Sequence, residues 1–200
     1  MILERLKRIV NLFIFISLIS LIYSCDIFEP RDAHNPINTE FEWNDFPTSP
    51  YQTLENLEWA FEYIQNADNY QQIFTDDFIF YFDSQDISEH SYESSWGIGQ
   101  EQNIVQNYYS QTSDNSPIDI ELVENEENDQ INSNNAHIYR DYVLNTNYDI
   151  LDFPDEFVGK LEIFLVFQNG NWKINYWKDF RTSSSDNMNT WGRFKHEFSS

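Results

Sequence analysis

The stretch FLVFQNGNWKINYWKDF, residues 164–180, limits the possible folds of this chain more than any other part of its sequence. Two runs rich in aromatic and β-branched residues are joined there by Asn169 and Gly170. Asn-Gly is the strongest short-range signal for a two-residue turn of type I′, in which both central residues adopt positive φ. The sequence therefore predicts a β-hairpin with strands at 160–167 and 172–180.

The register that follows from this turn sorts the hairpin side chains into two faces. Regular alternation from the pair Gln168/Asn171 predicts one nearly apolar inner face, made of Phe167/Trp172, Leu165/Ile174, Ile163/Tyr176 and Leu161/Lys178. The outer face is mixed and pairs Val166/Lys173, Phe164/Asn175, Glu162/Trp177 and Lys160/Asp179. Phe164, Val166 and Trp177 are predicted to form an apolar outer patch, which is typical of an interface.

Helical patterns come before the strands. Ser49 is suited to cap a helix that starts at Pro50, and Gln52 completes a capping box. The apolar residues of this helix share one face, at Leu54, Leu57, Phe61 and Ile64. Further predicted elements are a helix at 69–74, a strand at 78–82, a helix at 99–111, and strands at 118–124 and 136–144 around a polar loop at 125–135. Helices followed by an antiparallel meander indicate an α+β fold.

Residues 1–24 are typical of a bacterial signal peptide. A basic start is followed by an apolar run from Ile9 to Ile22, which is shorter than the about 20 residues of a membrane span. Cys25 follows directly, is the only cysteine, and is preceded by the small Ser24, so this pattern resembles the lipobox of bacterial lipoproteins. We expect Cys25 to be lipidated and to anchor the protein to a membrane. The alternatives are a secreted protein with a free thiol and an uncleaved N-terminal anchor.

Residues 25–48 are predicted to form a tether, because three prolines lie there among acids and asparagines. The alternative for the end of this segment is that Trp43 and Phe46 dock onto the domain. The formal net charge of the 200-residue chain is −23, and it falls to −25 without the leader, which holds three basic residues and one acid. Binding to nucleic acid is excluded, because phosphate contacts need clustered Lys and Arg. Binding to anionic headgroups is disfavoured for the same reason, so the lipid would hold the protein at the membrane.

Five stretches of the sequence resemble the NTF2-like family of SnoaL and ketosteroid-isomerase-like proteins, and in particular bacterial lipoproteins with this fold. They are PTSPYQTLENLEWAF (47–61), SSWGIGQEQNIVQNYY (94–109), AHIYRDYVL (136–144), GKLEIFLVFQNGNWKINYWKDFR (159–181) and TWGRFK (190–195). The resemblance implies an α+β cone at residues 49–182, in which N-terminal helices pack against a curved antiparallel sheet. It also implies anchoring in the bacterial cell envelope, facing the periplasm or the exterior. It implies no activity, since these are scaffold motifs.

NTF2-like domains commonly leave a pocket at the open end of the cone. If Tyr142 points inward, alternation places Arg140 inward as well, and Lys178 shares the inner face of its own strand. We therefore predict a pocket mouth for an acidic or aromatic ligand, formed by Trp96, Arg140, Tyr142, Tyr176 and Lys178. The alternative is that Arg140 pairs with an acid and Lys178 lies at a solvated edge, because long basic side chains usually reach water.

No catalytic residue, metal ligand or cofactor is predicted. An isomerase site needs a carboxylate base in an apolar pocket and donors for a developing oxyanion. Asp141 and Tyr139 are the candidates for that chemistry, but alternation points both away from the core. The four histidines are scattered, and there is no second cysteine to build a zinc site. The polar loop at 125–135 lacks the spacing of an EF-hand loop.

The C-terminal segment, residues 183–200, is expected to pack on the domain. Trp191, Phe194 and Phe198 fall at helical spacing, which predicts a short amphipathic helix that needs an apolar surface. The outer patch is one candidate surface, and a dimer partner is the other. The sequence favours a lipid-anchored, non-catalytic module that binds a small ligand or an envelope protein, with a homodimer through the outer sheet face. The alternative is an isomerase or hydratase with its active site in the cone.

Overall fold

A computed structural model describes residues 43–111, 118–146, 153–182 and 189–199. The predicted leader, Cys25 and the tether up to residue 42 lie outside the described residues, as does the polar segment at 183–188. The α-helices are α1 (Pro50–Glu62), α2 (Ser84–His90), α3 (Ile98–Glu101), α4 (Ile104–Gln111) and α5 (Trp191–Glu197), and a 3₁₀ segment spans Ile64–Ile73. The strands are β1 (Phe74–Tyr81), β2 (Ser95–Gly97), β3 (Asp119–Glu124), β4 (Gln130–Ile131), β5 (Asn135–Asn145), β6 (Glu156–Gln168) and β7 (Asn171–Phe180).

The strands form one curved sheet in the order β2-β1-β7-β6-β5-β3, with the short β4 paired to β5. The helices cover one face of this sheet, so the predicted α+β fold is confirmed. The sheet is mixed rather than antiparallel throughout, because β1 runs parallel to β7. Within the described residues, no helix is long and apolar enough to cross a membrane.

Local sequence explains where the first helix begins. The Ser49 hydroxyl accepts a hydrogen bond from the Gln52 amide at 3.3 Å, and Pro50 takes the first helical position. The Gln52 side chain accepts from the Thr48 amide at 2.7 Å, one residue before the cap. The sequence pattern does not predict α2 and β2, because a seven-residue polar helix and a three-residue strand carry almost no hydrophobic periodicity.

The β6–β7 hairpin follows the predicted register only as far as Leu165 and Ile174. Asn169 and Gly170 have φ values of 54° and 88°, as the predicted turn requires. The next pair, however, joins Phe164 to Tyr176 and leaves Asn175 as the extra residue of a β-bulge. Because side chains alternate with a period of two, this one residue exchanges the predicted faces of every later β7 residue.

Because of the bulge, four β7 side chains lie on the face opposite to the predicted one. Asp179 was predicted on the outer face opposite Lys160, but it pairs with Leu161 and is buried on the inner face. Trp177 was expected on the outer patch, but it pairs with Ile163 and is fully buried on the inner face. Tyr176 and Lys178 were expected inside, but they pair with Phe164 and Glu162 on the outer face. Phe164 and Val166 lie on the outer face as predicted, because the extra residue is in β7 and leaves the alternation along β6 unchanged.

Candidate functional site

The interior between sheet and helices, where a cone pocket was expected, is occupied by α5. The Thr190 side chain caps this helix, accepting from the Arg193 amide at 3.1 Å. Trp191, Phe194 and Phe198 are fully buried. The Trp191 ring meets that of Trp177 at 4.6 Å and that of Phe61 at 5.3 Å between centroids. This helix was predicted to cover the outer patch or a dimer partner, but it packs in the interior instead, against Trp177, which the bulge places on the inner face.

An ion pair at the centre of the interior joins α5 to α3. Lys195 and Glu101 are both fully buried, with 2.5 Å between Nζ and Oε1. Tyr70 also donates to Glu101, and the Trp96 indole donates to its other oxygen at 2.8 Å. Lys195 Nζ lies 3.4 Å from the centroid of the Trp177 ring. Burial lowers the pKa of Lys195 to about 8, although Glu101 opposes this shift.

A buried carboxylate holds the N-terminus of α5. Asp179 accepts from the Gly192 amide at 2.5 Å and from the Tyr142 hydroxyl at 2.7 Å. The same hydroxyl accepts from the Trp191 amide at 2.7 Å. Burial raises the pKa of Asp179 to about 7, against the effect of these hydrogen bonds, and it raises the pKa of Tyr142 well above its usual value.

A second buried carboxylate connects α2 to the start of α5. Asp86 is fully buried and accepts from the Thr190 hydroxyl at 2.5 Å. Arg181 donates to the other oxygen of Asp86 at 2.5 Å and to Glu89 at 2.6 Å. The interior thus contains acid and base groups suited to proton transfer, but each of them binds another part of the same chain.

Arg140 lies on the inner face of β5, as alternation predicts, but it does not line a pocket with Tyr142. Its guanidinium makes two hydrogen bonds of 2.8 Å to Asp129, which the β3–β5 connection brings over the sheet. The ring of Tyr51 lies 5.9 Å from the guanidinium carbon. Burial raises the pKa of Asp129, but the hydrogen bonds from Arg140 and the Tyr139 amide, together with the charge of Arg140, lower the pKa overall. This pairing with an acid is the alternative considered for Arg140.

The structure separates the five residues of the predicted pocket mouth. Trp96 is buried and donates a hydrogen bond to Glu101, and Tyr142 is buried and donates one to Asp179. Arg140 forms an ion pair with Asp129. Tyr176 and Lys178 lie on the opposite face of the sheet, where both donate to Glu162, at 2.9 and 3.0 Å. The five residues therefore line no common pocket, and their predicted role in ligand binding stays a prediction.

The outer face carries a group of aromatic side chains, which we call the outer cluster: Tyr81, His137, Phe164 and Tyr176. The rings of Phe164 and Tyr176 stack at 5.1 Å, and His137 lies 4.6 Å from Phe164. A cleft of about 290 Å³ opens beside it, between Tyr139, Lys160, Glu162 and Phe180. Burial, together with hydrogen bonding to Glu162, raises the pKa of Tyr176.

The sequence pattern does not predict Lys195, Glu101 and Asp179 as site residues. A signal existed for Lys195, because it follows Trp191 by four residues and precedes Phe198 by three, which places it on the apolar stripe of α5. Asp179 becomes recognisable as an inward residue only in the bulged register. Within the described ranges, no three His, Cys, Asp or Glu side chains gather into a metal site.

No protein-family model matches the sequence, and no curated protein matches it. Among solved structures, a protein from Novosphingobium aromaticivorans described as "Putative Scytalone Dehydratase" is 11% identical, with a TM-score of 0.53 over 72% of this chain and 91% of that chain. A nuclear transport factor 2 (NTF2-like) superfamily protein from Salmonella enterica is 11% identical, with a TM-score of 0.49 over 68% of this chain and 92% of that one. Bd1075 of Bdellovibrio bacteriovorus is 12% identical, with a TM-score of 0.48 over 68% of this chain, which spans only 40% of the length of Bd1075. The fold of this chain is NTF2-like, and at these identities the likeness extends to the fold alone.

Proposed function

We propose that this protein is a non-catalytic binding module of the bacterial cell envelope that acts through the outer face of its sheet. The observation that carries this proposal is the occupation of the cone interior by α5. Trp191, Phe194, Lys195 and Phe198 are fully buried there. A pocket enzyme needs that space for its substrate.

The enzymatic alternative rests on Asp179, whose pKa of about 7 suits a general base. A base must also reach the proton that it removes. Asp179 instead accepts from the Gly192 amide and the Tyr142 hydroxyl, so its lone pairs hold α5 in place. Burial raises the pKa of Asp179, but its hydrogen bonds to α5 and Tyr142 favour a structural role over isomerase or hydratase chemistry.

The partner we propose for the outer face is a second copy of this chain. Half-buried Phe164 and Val166 lie there beside Tyr81, which is 37% exposed. A two-fold interface places the same patch on both subunits, so the aromatic rings at its centre would pack against the same rings of the second copy.

Charge supports a self-complementary contact at this face. The chain carries a net charge of −23, so two copies repel each other at most surfaces. Three of the four lysines in the described residues, Lys160, Lys173 and Lys178, lie on the outer face among carboxylates such as Glu162. Opposite signs are therefore mixed on the outer face, and this weakens the repulsion between two copies that meet there.

A photocrosslinking amino acid at position 164 of the full chain, expressed in a bacterial envelope, tests this contact. We expect a crosslinked homodimer from position 164 and none from position 71, because Gln71 is exposed on the 3₁₀ segment away from the sheet face. A crosslink from position 164 to another envelope protein would replace the second copy as the partner. The absence of any crosslink at position 164 would overturn the outer-face proposal.

We also propose that lipidated Cys25 anchors the module, on the strength of the basic start, the apolar run and the single cysteine after it. Multiple acyl chains give stable anchoring, because each buried CH₂ contributes about 0.8 kcal/mol. Metabolic labelling with an alkyne fatty acid is expected to mark the wild-type chain in the membrane fraction. Cys25→Ser is expected to lose the label, and a labelled Cys25→Ser protein or an unlabelled wild type would contradict the proposal.

A further inference from the structure

A cleft of about 190 Å³ lies at the tip of the β6–β7 hairpin, away from both the interior and the outer cluster. The turn at Asn169 and Gly170 delivers Asn171 and Trp172 to one wall of the cleft. The other wall is the segment from Trp43 to Pro47, which precedes α1.

Backbone and side-chain hydrogen bonds hold this second wall in place. The Trp172 amide donates to the Pro47 carbonyl at 3.0 Å, and its indole donates to the Thr48 carbonyl at 3.2 Å. The buried Asn56 side chain accepts from the Asn44 amide at 2.8 Å and donates to the Asn44 carbonyl at 2.9 Å. The cleft is therefore preformed, which lowers the entropic cost of binding a ligand.

The cleft combines aromatic surface with neutral amides. Trp43 is half-buried and lines it together with Trp172. Four side-chain amides also line it, those of Asn44, Asn56, Gln72 and Asn171. Amides both donate and accept hydrogen bonds, as does a hydroxyl group.

One acceptor among the residues that line the cleft lacks a donor. Asn171 Oδ1 is buried and has no hydrogen-bond partner among the described residues. A buried polar atom is normally paired, so a ligand or a water molecule that donates to Asn171 is favoured at this position. Lys173 and Asp45 complete the lining with one cation and one carboxylate.

We propose that this cleft binds a neutral saccharide residue. The C–H face of a sugar ring stacks on an indole, while its hydroxyl groups exchange hydrogen bonds with amides and a carboxylate. The volume corresponds to about six water molecules, which is the room of one sugar ring and is smaller than a drug-sized pocket. Phosphorylated ligands are disfavoured, because Lys173 is the one cation of the lining in a chain of net charge −23.

The saccharide cleft does not depend on the outer-face proposal. None of its lining residues belongs to the outer cluster, and Phe164 does not line it. Loss of dimerisation on changing Phe164 leaves the cleft intact, so the two proposals fail separately.

Saturation-transfer difference NMR on the full chain tests the cleft directly. The probes are the methyl pyranosides of glucose, galactose, mannose and N-acetylglucosamine at millimolar concentration, with adenosine as a ligand that also stacks on aromatic rings. We expect signal at the ring protons of at least one pyranoside. Trp43→Ala is expected to abolish it, because the stacking surface is lost.

The matched control is Phe46→Ala, which removes an aromatic ring from the same segment. Phe46 is 74% exposed and does not line the cleft, so this variant is expected to bind as the wild type does. Asn171→Ala provides a second variant if Trp43→Ala unfolds, with an expected loss of at least fivefold in affinity. No pyranoside signal, a signal unchanged in Trp43→Ala and Asn171→Ala, or saturation by adenosine alone would each overturn the proposal.

Discussion

On the inner face of the sheet, Trp177, Trp191 and Phe194 are fully buried and enclose the charges of Lys195 and Glu101. On the outer face, the rings of Phe164 and Tyr176 stack while remaining partly open to solvent. Both faces combine aromatic rings with an ion pair of a lysine and a glutamate. They differ in solvation, because Lys178 keeps 38% of its side chain exposed whereas Lys195 keeps none.

The difference has a direct energetic consequence. A buried charge that loses its partner pays a large desolvation penalty, whereas water replaces a lost partner at the surface. The interior residues therefore stabilise the packing of α5, and we expect substitutions among them to destabilise the fold. The outer face is expected to tolerate change, because water can replace the contacts that a substitution removes there.

The largest expected effect is that of Lys195→Met, which leaves Glu101 charged and buried without its partner. We expect a loss of about 3–5 kcal/mol in the free energy of unfolding. The double variant with Glu101→Gln removes both charges and is expected to recover most of this loss. Urea unfolding followed by tryptophan fluorescence measures both values. A loss below about 1 kcal/mol in Lys195→Met is the range of an exposed ion pair, and it would show that breaking the pair costs no more on the inner face than on the outer face.

Removing one ring from each face compares their packing. Phe194→Ala is expected to cost about 3–5 kcal/mol, because a fully buried ring leaves a cavity between α5 and β6. Phe164→Ala is expected to cost about 1 kcal/mol, since water fills the space of a half-buried ring and mainly the stacking on Tyr176 is lost. Equal losses in thermal or urea unfolding would contradict the contrast between the faces.

Asp179→Asn tests the buried carboxylate through pH. The pKa of Asp179 is about 7 in the folded chain and near 3.9 in the unfolded chain, so the folded state holds the proton between these values. The contribution of Asp179 to stability is therefore complete below about pH 4 and is lost as the pH rises through 7. Asp179→Asn is expected to cost about 1–3 kcal/mol at pH 5, because the amide nitrogen that replaces one oxygen accepts no hydrogen bond and one of the two donors loses its partner.

The deficit of Asp179→Asn relative to the wild type is expected to shrink between pH 5 and pH 8. Unfolding curves at several pH values measure the slope. Asp76→Asn, a change at an exposed position of β1, is the control and is expected to leave the slope unchanged. A deficit that stays constant from pH 5 to pH 8 would rule out the raised pKa.

The smallest expected effect is that of Lys178→Ala on the outer face. Its partner Glu162 also accepts from Tyr176 and stays in contact with water, so we expect a loss of about 0–1 kcal/mol that shrinks further in high salt. A loss comparable to that of Lys195→Met would place this pair in the same class as the interior one. Chemical unfolding at low and high salt distinguishes the two outcomes.

Much of the fold was predictable from local patterns. The cap at Ser49, the turn at Asn169 and Gly170, and the alternation along β5 act within a few residues, so pattern and structure agree there. The candidate site was much less predictable. Alternation assigns each side chain to a face from its position along the strand. The extra residue of the bulge at Asn175 therefore reverses the assigned face of every later residue of β7.

The sequence by itself determined the α+β class, the helix at the start of the domain, the hairpin and its turn, and the amphipathic nature of α5. Each follows from chain geometry and from the spacing of apolar residues, and both depend only on residues that are close together in the sequence. The tertiary structure alone decided which face Trp177, Tyr176 and Lys178 occupy, and that α5 enters the cone rather than covering the sheet from outside. Such choices depend on contacts between residues more than 80 positions apart, such as Lys195 with Glu101, for which local spacing carries no signal.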